Sequence, residues 1–345
     1  MKALYKPSRA PGAKFGAIKD PELHADQILI KVHRASICGS DLPIYHWTSW
    51  APERVKPPMV FGHEFCGTVE KTGAAAKTFK KGDFVSVESH IYCGSCPQCL
   101  GNQKHVCSSM KIIGVDGPGG FGEYAAIPAR CAWKHEGKAL RDVGSLMEPL
   151  GNAVYSVLVE EVAGRSVLVL GCGPQGLFSI AVAKAAGAGP IVAVETSAYR
   201  AKLARRMGAS EVVDPSTGDA LARLLKAGKS PAGFDAVCEM SGSPAAIELA
   251  FKAVRNGGRI TAFGIPPRKI ELDWANDLIF KGVRVHGIVG RQVFDTWHKT
   301  DQLLKSGAVD VSPVITHSFP MKDFEKAFAV MSSPDKKCGK VLLVP

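Results

Sequence analysis

The stretch Val167-Leu-Val-Leu-Gly171-Cys-Gly173-Pro-Gln-Gly176 decides the fold of this 345-residue chain. A short apolar run is followed at once by a Gly-x-Gly-x-x-Gly motif, and an Ala-rich helical segment begins there. The glycines let the backbone turn tightly and approach a pyrophosphate, whose charge meets the N-terminus of the helix. Such a motif alone is a weak signal, but its place between a strand and a helix is the context that a dinucleotide site requires. We therefore predict that Gly171, Gly173, Pro174 and Gly176 bind a dinucleotide cofactor.

Short apolar runs alternate with helical stretches on the C-terminal side of this motif, at residues 191–194, 236–238 and 259–263. This alternation predicts an α/β fold with a doubly wound parallel sheet. Before about residue 150 the chain is β-rich, because residues 28–38 and 59–70 alternate apolar and polar side chains as short antiparallel strands do. After about residue 290, two amphipathic helices and a final strand are predicted at residues 294–305, 322–331 and 340–344.

Glu195 ends the run 191–194, about 20 residues after the glycine motif. A carboxylate at this place accepts hydrogen bonds from the adenosine ribose hydroxyls and repels a 2′-phosphate. It therefore favours NAD over NADP. Arg200 is the nearest residue able to offset that repulsion, and the alternative is that Glu195 only caps a strand at the surface.

A cysteine-rich run, Cys93-Gly-Ser-Cys96-Pro-Gln-Cys99, is followed eight residues later by Cys107. Four thiolates at this spacing close a tetrahedral shell around one zinc ion. A disulfide interpretation competes, but cysteines this close across a turn rarely meet the geometry of a bridge. The sequence therefore predicts a structural zinc site.

A second set of donors lies upstream, at Cys38, His63 and Glu64. One sulfur, one nitrogen and one oxygen leave a coordination position open, as catalytic zinc sites do. Zinc at such a position promotes loss of an alcohol proton, and the alcohol carbon can then release hydride to a nicotinamide. A zinc-binding, dinucleotide-sensing regulator is the non-enzymatic alternative, and it would not need these three residues together. One chain is thus predicted to hold two zinc ions and NAD.

Composition narrows the classes of partner. The chain has 46% hydrophobic and 22% charged residues, as globular proteins do, and no apolar run approaches the length of a membrane span. The net charge of +11 is spread over dispersed Lys and Arg residues, which indicates solubility rather than nucleic-acid binding. Of the ten cysteines, up to five are predicted metal ligands and the other five are scattered without a pairing pattern, which fits a reducing cytoplasm.

The segments 37–41 and 62–64, the cysteine run and the glycine motif together resemble the zinc-containing medium-chain dehydrogenases over essentially the whole chain. The resemblance implies a β-rich, GroES-like catalytic domain at 1–150 and 291–345, a Rossmann NAD-binding domain at 151–290, and a homotetramer. More specific markers indicate one branch of that family; they lie at residues 87–91, 147–153, 239–242, 264–267, 288–291 and 313–317. This branch implies NAD-dependent oxidation of the 3-hydroxyl of L-threonine to 2-amino-3-oxobutanoate, with a polyol or other secondary alcohol as the alternative small-molecule substrate.

Residue roles follow from the same resemblance. Cys38, His63 and Glu64 would hold the catalytic zinc, with Asp41 orienting a ligand. Glu148 would ligate intermittently or bind through water. The remaining positions are Ser40 at the substrate hydroxyl, His90 lining the substrate pocket or serving as a hydrogen-bonded core histidine, and Gly264, Ile265, Ile288 and Val289 at the cofactor.

One position departs from the family pattern. The family usually carries His three residues after the Ser or Thr that starts proton removal, and this chain has Pro43 there. Proline has no side-chain proton carrier. The onward route would then run through His46, through ribose hydroxyls and water, or directly to solvent.

Overall fold

The computed structural model describes residues 1–136 and 140–345. Its strands, in chain order, are β1 Lys2–Lys6, β2 Lys14–Ala17, β3 Gln27–Ser36, β4 Met59–Val60, β5 Glu64–Thr72, β6 Phe84–Val87, β7 His90–Ile91, β8 Lys111–Ile112, β9 Tyr124–Pro128, β10 Ala132–His135, β11 Val167–Leu170, β12 Ile191–Val194, β13 Glu211–Val213, β14 Phe234–Glu239, β15 Val254–Ala262, β16 Arg284–Gly287, β17 Ile315–Pro320 and β18 Lys340–Val344.

The α-helices are α1 Asp41–His46, α2 Ala51–Arg54, α3 Pro97–Leu100, α4 Met147–Leu158, α5 Pro174–Ala185, α6 Ala198–Met207, α7 Ala220–Ala227, α8 Pro244–Ala253, α9 Asp295–Lys305 and α10 Phe324–Ser332. A π-helical turn covers Trp274–Ile279. Within the described residues, no helix combines the length and apolar character needed to cross a membrane.

A mostly antiparallel sheet brings the two ends of the chain together. Its order is β10-β6-β5-β3-β18-β17, and β9 also pairs with β3. The strands predicted at 28–38 and 59–70 pair with each other as β3 and β5, with Ser36 opposite Glu64. On the other side of β3, Leu342 of β18 lies opposite Ser36. The last strand of the chain is therefore a neighbour of the residues that lead into Cys38.

The second sheet has the order β13-β12-β11-β14-β15-β16, and every pairing in it is parallel. Alternate residues of β11 enter different cores: Val167 and Val169 pack with residues of α5, while Leu168 and Leu170 pack with residues of α7 and α8. Burial on both faces explains why the sequence of this strand is uniformly apolar. The predicted α/β fold, with a doubly wound Rossmann sheet and a β-rich GroES-like part, is confirmed.

Helix α4 lies between the two sheets and carries Glu148 in its first turn. It contacts β5 and β6 of the antiparallel sheet as well as α5, α9 and β15. Ten of its twelve residues are buried. Such an element is packed from all sides, so Glu148 has a fixed position at the junction of the two parts.

Candidate catalytic site

Cys38, His63 and Glu64 meet because of strand register. Cys38 follows β3, and Glu64 begins the antiparallel strand β5, so the pairing of Ser36 with Glu64 brings the three residues to one place. Gly62, just before them, has a φ of +87°, and a Cβ there would lie 2.4 Å from the Phe121 ring. The three candidate ligand atoms lie within 4.8 Å of one another. Sulfur, imidazole and carboxylate donors at this separation suit a zinc ion.

Asp41 contacts the backbone of Cys38 and lies near the side chain of His63. Its carboxylate is fully buried, accepts a hydrogen bond from the Cys38 amide at 2.8 Å, and lies 3.5 Å from His63 Nδ1. Burial lowers the pKa of His63, but the charges of Asp41 and Cys38 outweigh it, so the pKa stands well above its usual value. Asp41 lies where a residue that orients zinc ligands is expected.

Lys340 is a residue of this site that the sequence analysis missed. Its buried ammonium donates to both carboxylate oxygens of Glu64, at 2.6 Å for Oε1, and lies 3.3 Å from the Ile37 carbonyl. Ser36 Oγ donates to the same carboxylate. Burial raises the pKa of Glu64 and the charge of Lys340 opposes that rise. The lysine therefore compensates a carboxylate charge that would otherwise be costly to bury.

Glu148 and His90 belong to a polar cluster centred on Arg291. The Arg291 side chain is fully buried and lies 2.8 Å from Glu148 Oε1 and 2.7 Å from Asn152 Oδ1. Burial raises the pKa of Glu148, but the charges of Arg291 and His63 bring it below its usual value. His90 is only 7% exposed, and its Nδ1 lies 2.9 Å from Glu88 Oε1. Sequence reasoning used Arg291 only as a family marker and did not assign it a role.

Ser40 directly precedes α1 and is half-buried, two residues after Cys38. His46, at the other end of this short helix, is exposed, and its Nε2 lies 3.1 Å from Ser332 Oγ of α10. Among the described residues, no hydrogen bond joins Ser40 and His46. His46 is therefore paired with a residue of α10 and not with Ser40, the residue predicted to begin proton removal.

The four cysteines of the predicted structural zinc site come together around α3. Their sulfurs lie within 4.8 Å of one another. Cys93 Sγ accepts a hydrogen bond from the Cys96 amide at 3.3 Å, and Cys107 Sγ accepts one from the Cys93 amide at 3.3 Å. Hydrogen bonds from the backbone of Cys99 and Ser108 lower the pKa of the Cys96 thiol to about 5. Amide donors favour the thiolate form, which is the form that binds zinc.

The predicted cofactor residues share one edge of the parallel sheet. Gly171 follows β11, Glu195 follows β12, Gly264 lies just after β15, and Ile288 follows β16, so all four lie at the carboxyl ends of strands. This edge is where open α/β sheets bind ligands. Ile265 and Val289, the neighbouring predicted residues, are 91% and 51% exposed.

The glycine turn has the shape that a pyrophosphate needs. Gly171 has a φ of +88°, and a Cβ on Gly176 would lie 1.9 Å from the Gly171 carbonyl oxygen. At Gly173, in contrast, a Cβ would contact only Arg200, at 3.9 Å, which leaves open space over the start of α5. Pro174 begins that helix. Space beside a helix N-terminus suits the phosphates of a dinucleotide.

Glu195 is held in place by backbone amides. It is 8% exposed and accepts hydrogen bonds from the amides of Cys172, Thr196 and Ser197 at 2.8–2.9 Å. The Arg200 Nε donates to the Cys338 carbonyl at 2.9 Å. Arg200 is therefore near the glycine turn but already has a partner.

Two family models match this chain. One is described as the alcohol dehydrogenase GroES-like domain and matches residues 24–137; the other is described as zinc-binding dehydrogenase and matches residues 174–306. An L-threonine 3-dehydrogenase from Bacillus licheniformis is 46% identical over 345 residues, with 100% of this chain and 99% of that protein covered. An L-threonine 3-dehydrogenase from Thermococcus kodakarensis is 43% identical, with 100% and 98% covered. The crystal structure of 2R,3R-butanediol dehydrogenase from Bacillus subtilis has a TM-score of 0.89 and 29% identity, with 100% and 99% covered.

Proposed function

Since the chain belongs to the zinc-binding dehydrogenases with a GroES-like domain, we propose that it oxidises the 3-hydroxyl of L-threonine to 2-amino-3-oxobutanoate, with hydride transfer to NAD+. The observation that carries this proposal is full-length similarity to L-threonine 3-dehydrogenases in a chain whose half-buried Cys38 and buried His63 and Glu64 form a donor set suited to zinc. The resemblance predicted from the sequence motifs is thereby confirmed at the level of the family.

Zinc and NAD supply the Lewis acid and the hydride acceptor of this chemistry. Cys38, His63 and Glu64 would hold the metal, with Asp41 and Lys340 fixing two of them. The C3 hydrogen leaves as hydride to NAD+, and the hydroxyl hydrogen leaves as a proton that must reach solvent. Ser40 begins this transfer, and water carries the proton onward because Pro43 has no titratable group.

The cofactor would lie along the carboxyl ends of the parallel strands. The glycine turn and the start of α5 receive the pyrophosphate, and Gly264, Ile265, Ile288 and Val289 flank the other half of the dinucleotide. Glu195 would accept hydrogen bonds from the adenosine ribose. Its three amide donors orient the carboxylate without occupying all of its lone pairs.

The polar cluster around Arg291 suits an amino-acid substrate. L-Threonine carries an ammonium and a carboxylate beside its reacting hydroxyl, and a site built to pair with such groups rejects analogues that lack them. Glu148 and His90 lie in this cluster. The runner-up substrate is a polyol or diol, which the similarity to a butanediol dehydrogenase favours.

The test is NADH production by the purified protein against L-threonine, D-threonine, L-allo-threonine, sorbitol and 2,3-butanediol. We expect the highest kcat/KM for L-threonine. A higher kcat/KM for a polyol or diol would make the runner-up correct.

We further propose that residues 1–150 and 291–345 form the catalytic domain and that residues 151–290 form the NAD-binding domain. We also propose that the protein is cytoplasmic and forms a homotetramer. The location is supported by the ten cysteines, all in the described residues, none of which forms a disulfide. Support for assembly comes from β16, which pairs only with β15 among the described strands, and from the exposed apolar side chains nearby, Trp274, Phe280 and Val285. Light scattering on the purified protein measures the number of chains, and a monomer would contradict the assembly.

A further inference from the structure

Glu88 is the most heavily hydrogen-bonded carboxylate of the polar cluster. It is fully buried, and its Oε1 accepts from the His90 amide at 2.8 Å, from His90 Nδ1 at 2.9 Å and from the Arg291 guanidinium. Its Oε2 accepts from Arg291 Nε at 2.8 Å and from Trp297 Nε1. Burial raises the pKa of Glu88, but Arg291 and His90 hold it well below its usual value. The group is therefore an ionised, acceptor-only anchor.

The surrounding bonds determine which nitrogen of His90 carries the proton. One terminal nitrogen of Arg291 donates to Glu88 Oε1 and to Ser89 Oγ, 3.0 Å away, which uses both of its hydrogens. Ser89 can accept because its own hydroxyl donates to Glu148 Oε1 at 2.8 Å. Arg291 thus has no hydrogen left for His90 Nδ1, although the two nitrogens are 2.9 Å apart. Nδ1 must then be the donor to Glu88.

The other ring nitrogen, Nε2, has no hydrogen-bond partner among the described residues, and the side chain keeps 9% of its exposure. Gly290 packs against the His90 ring, because a Cβ on Gly290 would lie 2.9 Å from His90 Nε2, and this packing limits the access of solvent to that nitrogen. The hydrogen bonds of the cluster connect His90, through Ser89 and Arg291, to Glu148, the carboxylate next to the zinc-ligand candidate His63.

We propose that Glu88 is a positioning residue that fixes His90 in its Nδ1–H form, so that the Nε2 lone pair accepts a hydrogen bond from the ammonium group of the substrate. The inference rests on the proposed function, because it assigns a partner to the ammonium of L-threonine. A polyol or a plain secondary alcohol has no ammonium to offer. Glu88 would thus contribute to substrate choice without touching the substrate.

The kinetic experiment compares L-threonine with (R)-3-hydroxybutanoate, which keeps the carboxylate and the reacting hydroxyl but lacks the ammonium. In Glu88→Gln, an NH2 group replaces one of the two acceptor oxygens, so the side chain can no longer accept all the hydrogen bonds from His90, Arg291 and Trp297 and no longer fixes the proton on His90 Nδ1. We expect KM for L-threonine to rise by about 10- to 100-fold, as for loss of a charged hydrogen bond, with a smaller change in kcat. The inhibition constant of (R)-3-hydroxybutanoate should stay within about twofold. Equal weakening of both ligands, or weakening of neither, would overturn the proposal.

Glu160→Gln is the matched control. Glu160 also pairs with one arginine and one histidine, Arg284 at 2.8 Å and His286 at 2.8 Å, but it lies on the parallel-sheet part of the molecule. Its replacement should change neither constant. Zinc content and thermal midpoint, measured for both variants, identify any general loss of structure.

A neutron crystal structure of the unmodified protein gives a readout that depends on neither folding of the variant nor substrate identity. Deuterium on His90 Nδ1 and none on Nε2 is the expected result, and the reverse would overturn the proposal. If the parent protein does not oxidise L-threonine, the proposed function fails, whereas the neutron density still decides the form of His90.

Discussion

Cys93, Cys96, Cys99 and Cys107 come from one continuous stretch, whereas Cys38, His63 and Glu64 come from the ends of two strands and depend on a lysine near the end of the chain. The cysteine site is partly open to solvent and its sulfurs receive hydrogen bonds from neighbouring amides. His63 and Glu64 are buried and are held by the charges of Asp41 and Lys340. Spacing alone builds the first site, and the second also needs strand register and buried counter-charges.

Replacing one ligand in each of the two sites is the strongest test of this difference between them. Cys38→Ser should abolish turnover and leave the fold intact, because the strands that carry the site do not need zinc to pair. A loss beyond about 100-fold in zinc affinity is expected, since even the partners of zinc ligands contribute about 10–100-fold. Activity, zinc content and thermal midpoint measure the outcome.

Cys107→Ser is the counterpart in the cysteine site. It should lower the thermal midpoint or prevent folding, because a structural zinc contributes folding free energy directly. The unmodified protein should contain about two zinc ions per chain, one for each ligand set. An active, unchelated protein with one zinc or none would contradict the division into two sites.

Features that depend on local spacing could be predicted from the sequence. The cysteine site, the glycine turn and the strand at 340–344 lie where the motifs indicated. Lys340 and Arg291 could not be assigned, because their partners Glu64 and Glu88 lie 276 and 203 residues away in the chain. The periodicity of apolar residues in a sequence does not predict contacts between residues so far apart in the chain. These two contacts form only because β18 pairs with β3 and α4 packs against α9.

The Glu64–Lys340 pair tests whether the site of Cys38, His63 and Glu64 depends on a counter-charge that is distant in the sequence. Lys340→Met keeps most of the volume of the side chain but leaves the Glu64 carboxylate without its counter-charge. Breaking a buried ion pair in this way typically costs about 3–5 kcal/mol in the free energy of unfolding. Denaturant unfolding measures the loss, and zinc content reports on the ligand set.

Lys340→Arg is the control for that substitution, since it retains the positive charge. It should recover most of the stability lost in Lys340→Met. Equal stability of Lys340→Met and the unmodified protein would show that Glu64 needs no counter-charge, and the second site would then resemble the first in depending on spacing alone.

Glu195 is a further test of sites that depend on local spacing, like the cysteine site. A residue placed by motif spacing should act without a partner that is distant in the sequence. A 2′-phosphate beside its carboxylate would be repelled by about 4 kcal/mol for unit charges 4 Å apart at an effective dielectric constant of 20. That energy predicts a preference of at least about 100-fold for NAD+ over NADP+ in kcat/KM.

Glu195→Ser should reduce this preference for NAD+. Glu211 is an exposed carboxylate on the next strand, so the control variant Glu211→Ser should leave the preference unchanged. Arg200 Nε is bonded to the Cys338 carbonyl, so any offset of the 2′-phosphate repulsion by Arg200 must come from the terminal nitrogens of its guanidinium. Equal kcat/KM for the two cofactors in the unmodified protein would mean that Glu195 serves only the amides of Cys172, Thr196 and Ser197, as a strand cap.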